Sequence, residues 1–336
     1  MTVRITASSF PTPDLVKTTN NPAQWDQLDR FAAVQAEAAN TALEALDEQL
    51  ATVSTVEDRT AAFEGLYQKL ADWRYRLAVE GRVTRPSSNA ETIRTPIGDG
   101  SMSYRLTPSV AGRESGSPAH RALTKMERVA LGQFSGSADR VQHQVTLQDG
   151  RTINGNLLMR TESLGEQAAD VFGASTQQMA AAAPAVAPDE TITVTASLDD
   201  REILRRAAFE QLAGLETKRA ETGDLDPADP QNRQAFADAT YCLFQGPEFR
   251  RGTDATMRVF VAVAHARVFD AAPVVPQGVD LDAMVRDQQD FRDTMRDQLR
   301  VIPGGHPTSQ ERSTSAGERA ARGSRDSSRS STAIQR

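Results

Sequence analysis

The chain has 336 residues, a formal net charge of −7, 39% hydrophobic residues and only 5% aromatic ones. That length fits one large domain or two smaller lobes, with a core built mostly of Ala, Leu, Val and Met. The acidic balance speaks against nucleic acid as a partner, because neutralising phosphates takes a basic surface. No apolar run approaches the ~20 residues of a membrane span, and the single cysteine, Cys242, excludes an internal disulfide.

Residues 1–24 are rich in Ser, Thr, Asn and Pro and carry one acid, Asp14. They contain no apolar stretch of the kind a Sec signal peptide needs. Thr2 stands where N-myristoylation requires glycine, so no membrane anchor is visible there. The expectation is a disordered start, with the composition of either a frayed terminus or a type III secretion signal.

From Pro22 to Leu50, Trp25, Leu28, Ala32, Ala36, Ala39, Leu43, Leu46 and Leu50 fall near helical spacing. Ser54-Thr55-Val56-Glu57 reads as a capping box opening a second helix. Phe63, Leu66, Tyr67, Leu70, Trp73 and Leu77 form its inner face, and Gly81 ends it. Gly, Pro and Ser become frequent from Arg82 to Arg160. Val145-Thr146-Leu147 and Thr152-Ile153 flank Gln148-Asp149-Gly150-Arg151, and Asp-Gly between such runs signals a hairpin. A helix from Pro118 to Gln133 interrupts this region, and the Ala/Pro-rich residues 179–188 read as a connector. The sequence therefore predicts a smaller mixed lobe, about 82–190, inserted into a helical body of residues 25–302.

Helices are expected over Leu198 to Leu215, from about Pro230 to Gly246, and from about Thr253 to Phe269. A last helix is expected from Asp280. Leu281, Met284, Gln288, Phe291, Met295, Gln298 and Ile302 alternate at spacings of three and four, which makes one stripe. Residues 303–336 are polar and rich in Ser, Arg and Gly. Such a segment buries too little apolar surface to offset its ordering entropy and is expected to be a disordered tail.

His120, His143, His265 and His306 lack metal-ligand spacing, so no metal is expected. Cys242 and His265 lie in apolar helical stretches and read as buried core groups. The most suggestive constellation is Pro247-Glu248-Phe249-Arg250-Arg251-Gly252-Thr253-Asp254. Here arginines and a glycine lead into a helix, whose first-turn N–H groups and partial positive charge suit a phosphate. Arg251 would add bidentate bonds to phosphate oxygens, and Gly252 would let the backbone approach closely. The competing reading is that Thr253 or Asp254 is an ordinary helix cap. Asp280, at the start of the last helix, reads as a cap. Asp280-Leu281-Asp282 and Asp224-Leu225-Asp226 also fit the Asp-x-Asp pattern of metal-dependent glycosyltransferases, a spacing that arises by chance in any acidic chain.

The stretch from Arg251-Gly252-Thr253-Asp254-Ala255 through His265 resembles the C-terminal part of the AvrB family of type III effectors. The resemblance continues through Pro276-Gln277-Gly278-Val279-Asp280-Leu281-Asp282-Ala283-Met284 and Phe291 to Leu299. Phe63-Glu64-x-Leu66 with Trp73-Arg74 matches near the N-terminal helices. Weaker echoes are Thr95-Pro96-Ile97, Tyr104, Ala119-His120 and Gly155-Asn156-Leu157, in the same order over roughly residues 56–302. The resemblance implies a mainly α, α+β fold of two lobes, related to the Fic and Doc proteins (the Fido fold). Phe249, Gly252 and Arg258 keep the spacing of the Fic motif, while Pro247 replaces its catalytic histidine and Ala255 its middle arginine.

The resemblance further implies a nucleotide-sugar cleft between the lobes and no resident cofactor. The donor would be UDP- or dTDP-rhamnose, and rhamnose would pass to a Thr or Ser hydroxyl of a host immune-regulatory protein. By motif position Arg251, Gly252 and Thr253 would hold the diphosphate and Asp280 would be catalytic. Thr95 and Tyr104 would line the other wall. The family's histidine before the helix from Leu198 has no counterpart in Thr191 to Thr195. Two alternatives follow: a host-protein-binding effector with a degenerate cleft, or another Fido-type transferase moving AMP or ADP-ribose. In either case the expected destination is the host cytosol, through a type III system.

Overall fold

A computed structural model describes residues 3–81, 90–98, 113–160 and 191–302. The tail at 303–336, the connector at 179–188 and Tyr104 lie outside the described residues. Among the described residues the protein is mainly helical, with a small antiparallel sheet.

Helices α1 (Asp26–Leu50) and α2 (Val56–Glu80) form the N-terminal pair. The Thr55 hydroxyl accepts the Asp58 N–H at 3.1 Å, so the cap pairs Thr55 with Asp58, one residue later than the expected box. Gly81 closes α2 in the left-handed region, φ +67°. After α3 (Pro118–Gly132), capped by Ser117, come strands β1 (Arg140–Thr146) and β2 (Thr152–Arg160). They pair antiparallel around the expected Asp149-Gly150 turn. Strand β3 (Thr191–Val194) adds to the free edge of β2, giving the order β1-β2-β3. This strand was not expected from the sequence, although Pro188-Asp189 precedes its β-branched run.

Then follow α4 (Leu198–Thr222), α5 (Pro230–Gln245) and α6 (Thr253–Phe269). Helix α4 runs seven residues past the expected end at Leu215 and stops at Gly223, which adopts φ +82°. Helix α6 is buried on every side, as an all-round apolar helix must be. Phe260 on α6 meets Phe63 and Tyr67 of α2 and Phe209 of α4, with ring centroids 5.8–6.4 Å apart. These edge-on and tilted aromatic contacts knit the main core.

Two expectations are corrected. The single final helix is broken: α7 (Val279–Val285) ends where Arg286 turns extended, and α8 (Gln288–Gln298) restarts with Asp287 as its cap. The stripe continues across the break as far as Met295: Leu281, Met284, Gln288, Phe291 and Met295 are buried, while Gln298 is exposed and Ile302 lies beyond α8. Residues 3–24 are not a loose start: Val3, Ile5 and Phe10 are buried in the main core. Asn40 of α1 fixes Ile5 by accepting its N–H at 3.0 Å and donating to its carbonyl at 2.7 Å. Three separated apolar residues leave no periodicity to read, yet they suffice to seat a strap on α1.

A second apolar cluster joins Leu123 and Met126 of α3, Leu158 of β2, and Leu281, Met284 and Val285 of α7. Val279 and Ala283 of the same α7 belong to the main core. Helix α7 therefore sits at the seam between the two clusters, and it carries Asp280. The strands β4 (Pro273–Val274) and β5 (Arg300–Val301) pair just before and after α7 and α8. Among the described residues no helix is long and apolar enough to cross a membrane.

Candidate functional site

The loop from α5 to α6 is placed by a buried arginine. Arg201 of α4 is 0% exposed. Its guanidinium donates to the carbonyls of Ala196 (3.0 Å), Pro247 (3.1 Å) and Ile97 (2.7 Å). A buried cation must find such partners to offset its lost hydration. Gly246 makes this approach possible, since a Cβ there would stand 2.7 Å from the Arg201 carbonyl oxygen.

Two backbone bonds then join residues 95–97 to 248–250. The Ile97 N–H donates to Glu248 O at 2.8 Å, and the Arg250 N–H donates to Thr95 O at 3.0 Å. Pro96 and Phe249 face each other between them as an antiparallel bridge. Thr95 is thus brought directly against the segment that leads to Arg251. Its hydroxyl donates back to Glu91 O at 2.8 Å.

Helix α6 starts at Gly252, in the left-handed region with φ +75°. Gly252, the cap residue, makes no side-chain cap bond, and the start of a helix carries partial positive charge that suits an anion. The Thr253 hydroxyl is not available to such a ligand: it is buried and donates to Phe249 O at 2.7 Å. Thr253 therefore offers only its backbone. Arg251 is exposed. Arg74 of α2 lies against Gly252, its Cγ 3.2 Å from where a Cβ would stand. Its Nε is buried without a hydrogen-bond partner, and burial pushes the guanidinium below its usual range. A partly dehydrated arginine beside an uncapped helix start is an arrangement that an anion would relieve.

Asp280 occupies the second position of α7, behind a Gly278 cap, so it is not the N-cap. The link to α6 runs through Arg258, two turns into that helix and 3% exposed. Burial lowers its pKa, while the charges of Asp280 and Asp254 oppose that shift. Asp254, one turn before Arg258, and Asp280 thus both lie within electrostatic reach of one guanidinium. The structure brings Thr95, Arg251, Gly252 and Thr253 to one end of α6 and connects Asp280 to the same helix through Arg258. Sequence reasoning gave no role to Arg74 or Arg201, offered Asp254 only as a helix cap, a place that Gly252 takes instead, and matched Arg258 only by spacing. Arginines that will be buried look like any others in a chain this rich in charge.

Cys242 and His265 are buried core groups, as the sequence suggested. Burial pushes the Cys242 thiol up to about 12. It pushes His265 down to about 4, and His265 Nδ1 is bonded to Ala271 O at 2.7 Å. Among the described residues no group of three His, Cys, Asp or Glu is placed to hold a metal ion. No protein-family model matches this chain, and no curated protein matches it in sequence.

Proposed function

We propose that this chain is a type III secreted effector with a two-lobed, AvrB-like fold. It would transfer a deoxysugar of the rhamnose kind from a nucleotide sugar to a Thr or Ser hydroxyl of a host immune-regulatory protein. The observation that carries the reading is the amino end of α6, an uncapped helix start flanked by Arg251 and the half-buried Arg74. The barrier to transfer lies in breaking the anomeric C–O bond, as positive charge grows on the sugar and negative charge on the diphosphate. Arg251, Arg74 and the first-turn N–H groups would stabilise the leaving diphosphate. The acceptor oxygen would bond to the anomeric carbon as the C–O electron pair leaves with the diphosphate. Asp280 would take the hydroxyl proton. Thr95 would stand on the opposite wall.

A second reading, a non-catalytic effector that binds a host peptide in the same cleft, is favoured by one observation. Thr191–Val194, where the resemblance leads one to seek a histidine, form a buried strand with no titratable side chain. Transfer of AMP by the Fic route is disfavoured. Pro247 supplies no base, and its carbonyl is bound to Arg201. Intact mass spectrometry of a candidate host protein, incubated with this chain and UDP- or dTDP-rhamnose, separates the readings. A gain of one deoxyhexose on Thr or Ser supports transfer, a gain of AMP or ADP-ribose assigns another donor, and binding without any gain supports the second reading.

A further inference from the structure

After Arg201, Arg258 is the most deeply buried arginine near the site, 3% exposed, and its hydrogen bonds go to backbone carbonyls. One terminal nitrogen donates to Pro276 O at 2.7 Å and to Gln277 O at 3.3 Å. The other donates to Pro11 O at 3.3 Å. Pro276 and Gln277 belong to the loop that runs through the Gly278 cap into α7 at Val279. The Val279 N–H returns to Pro276 O at 3.4 Å. The same loop is tied to the N-terminal strap: the Val275 N–H donates to Ser9 O at 2.9 Å, and Gln277 Nε2 donates to Thr12 O at 3.1 Å.

We propose that Arg258 is a positioning residue, pinning the 275–278 loop to α6 and to the N-terminal strap so that Asp280 is held at the site. A guanidinium is suited to this because its planar fork reaches several acceptors in fixed directions. It replaces the hydration lost on burial with carbonyl oxygens from two chain segments far apart in sequence. The charges of Asp280 and Asp254 also favour its charged form against the burial. The strap thereby becomes part of the site. Pro11, Ser9 and Thr12 supply the loop's hydrogen bonds to the strap.

The consequence for transfer rests on the glycosyltransferase reading, whereas the pinning itself does not. Hydrogen exchange of the full chain tests the pin directly. In Arg258→Met, amides of residues 275–282 and 9–12 should exchange roughly five- to tenfold faster, about the worth of one net hydrogen bond. Amides of α2 and α4 should be unchanged. Unchanged exchange over 275–282 overturns the proposal. With UDP-rhamnose as donor, Arg258→Met should lower kcat and leave the donor KM unchanged, and Arg258→Lys should recover part of kcat. A raised KM with normal kcat would make Arg258 a donor ligand and also overturn the proposal. Where Arg258→Met fails to fold, Arg258→Lys carries the test. One ammonium cannot span both segments, so exchange over 275–282 should still rise. A wild-type chain that transfers no sugar would refute the function while the exchange result still decides the pin.

Discussion

Gly252 and Gly223 provide a matched pair for testing how the start of α6 is built. Both hold left-handed backbone at helix ends, φ +75° and +82°. A Cβ at Gly223 would meet nothing within 4 Å. At Gly252 it would stand 3.0 Å from Ile93 Cγ2 and 3.2 Å from Arg74 Cγ. Alanine at either position costs about 1–2 kcal/mol for the left-handed conformation. At Gly252 the neighbours must also yield, and crowding of this kind typically adds about 1 kcal/mol or more. Gly223→Ala should therefore lose about 1–2 kcal/mol and Gly252→Ala about 2–4 kcal/mol. Equilibrium urea unfolding of the two variants, with m-values checked for constancy, gives the comparison. Gly252→Ala should also weaken UDP binding, because Arg74 is one of the two side chains crowded by the new methyl group. The reasoning fails if Gly252→Ala is no more costly than Gly223→Ala.

Phe10 is 0% exposed, so Phe10→Ala should destabilise the chain by about 3–5 kcal/mol, the usual cost of emptying a buried phenyl site. A near-neutral result in urea unfolding would mean that the strap is not part of the core. Gln245, also 0% exposed, accepts the Asn156 N–H at 2.6 Å and donates to Ala283 O at 2.6 Å, joining β2 to α7. Gln245→Leu leaves both backbone groups unsatisfied and should cost about 2–6 kcal/mol in the same assay, at about 1–3 kcal/mol per orphaned group.

His143 lies at the register shift between β1 and β2, 2% exposed, with no hydrogen bond to either ring nitrogen. Burial pushes it down to about 4, with Asp287 opposing. The folded state therefore holds His143 neutral while the unfolded chain, near the ordinary 6.5, takes up a proton. Its neutral form supports stability fully above about pH 6.5, and that support falls away toward pH 4. His143→Leu should flatten this slope between pH 4 and 6.5, leaving a share for His265, which burial depresses in the same way. An unchanged slope of unfolding free energy against pH would contradict the assignment.

Much of the helical framework was legible from spacing and punctuation. Helix α6 has the expected bounds because a mostly apolar stretch, with Val259–Ala264 unbroken at its centre, lies between Gly252 and Asp270. Gly81 ended α2 as its position suggested, and Asp149-Gly150 turned the hairpin. The illegible parts depend on contacts distant in sequence. The strap is held by Asn40, 35 residues away. Strand β3 exists because β2 offers an edge. The break at Arg286 and Asp287 was hidden because two short helices share one apolar stripe. Within the site, the Arg251-Gly252 approach to a helix could be read locally. The roles of Arg201 and Arg258 could not, since each is defined by carbonyls from separate segments.

Calorimetric titration of UDP, and separately of dTDP, into the full chain and into Arg251→Ala is the most direct test of a diphosphate site at the start of α6. Because Arg251 is exposed, the variant should unfold like the parent. The account predicts that at least one of the two nucleotides binds the parent and that its affinity falls tenfold or more in Arg251→Ala, about 1.4 kcal/mol for one charge-assisted contact. Equal affinity in parent and variant, or no binding of either nucleotide to the parent, would contradict it.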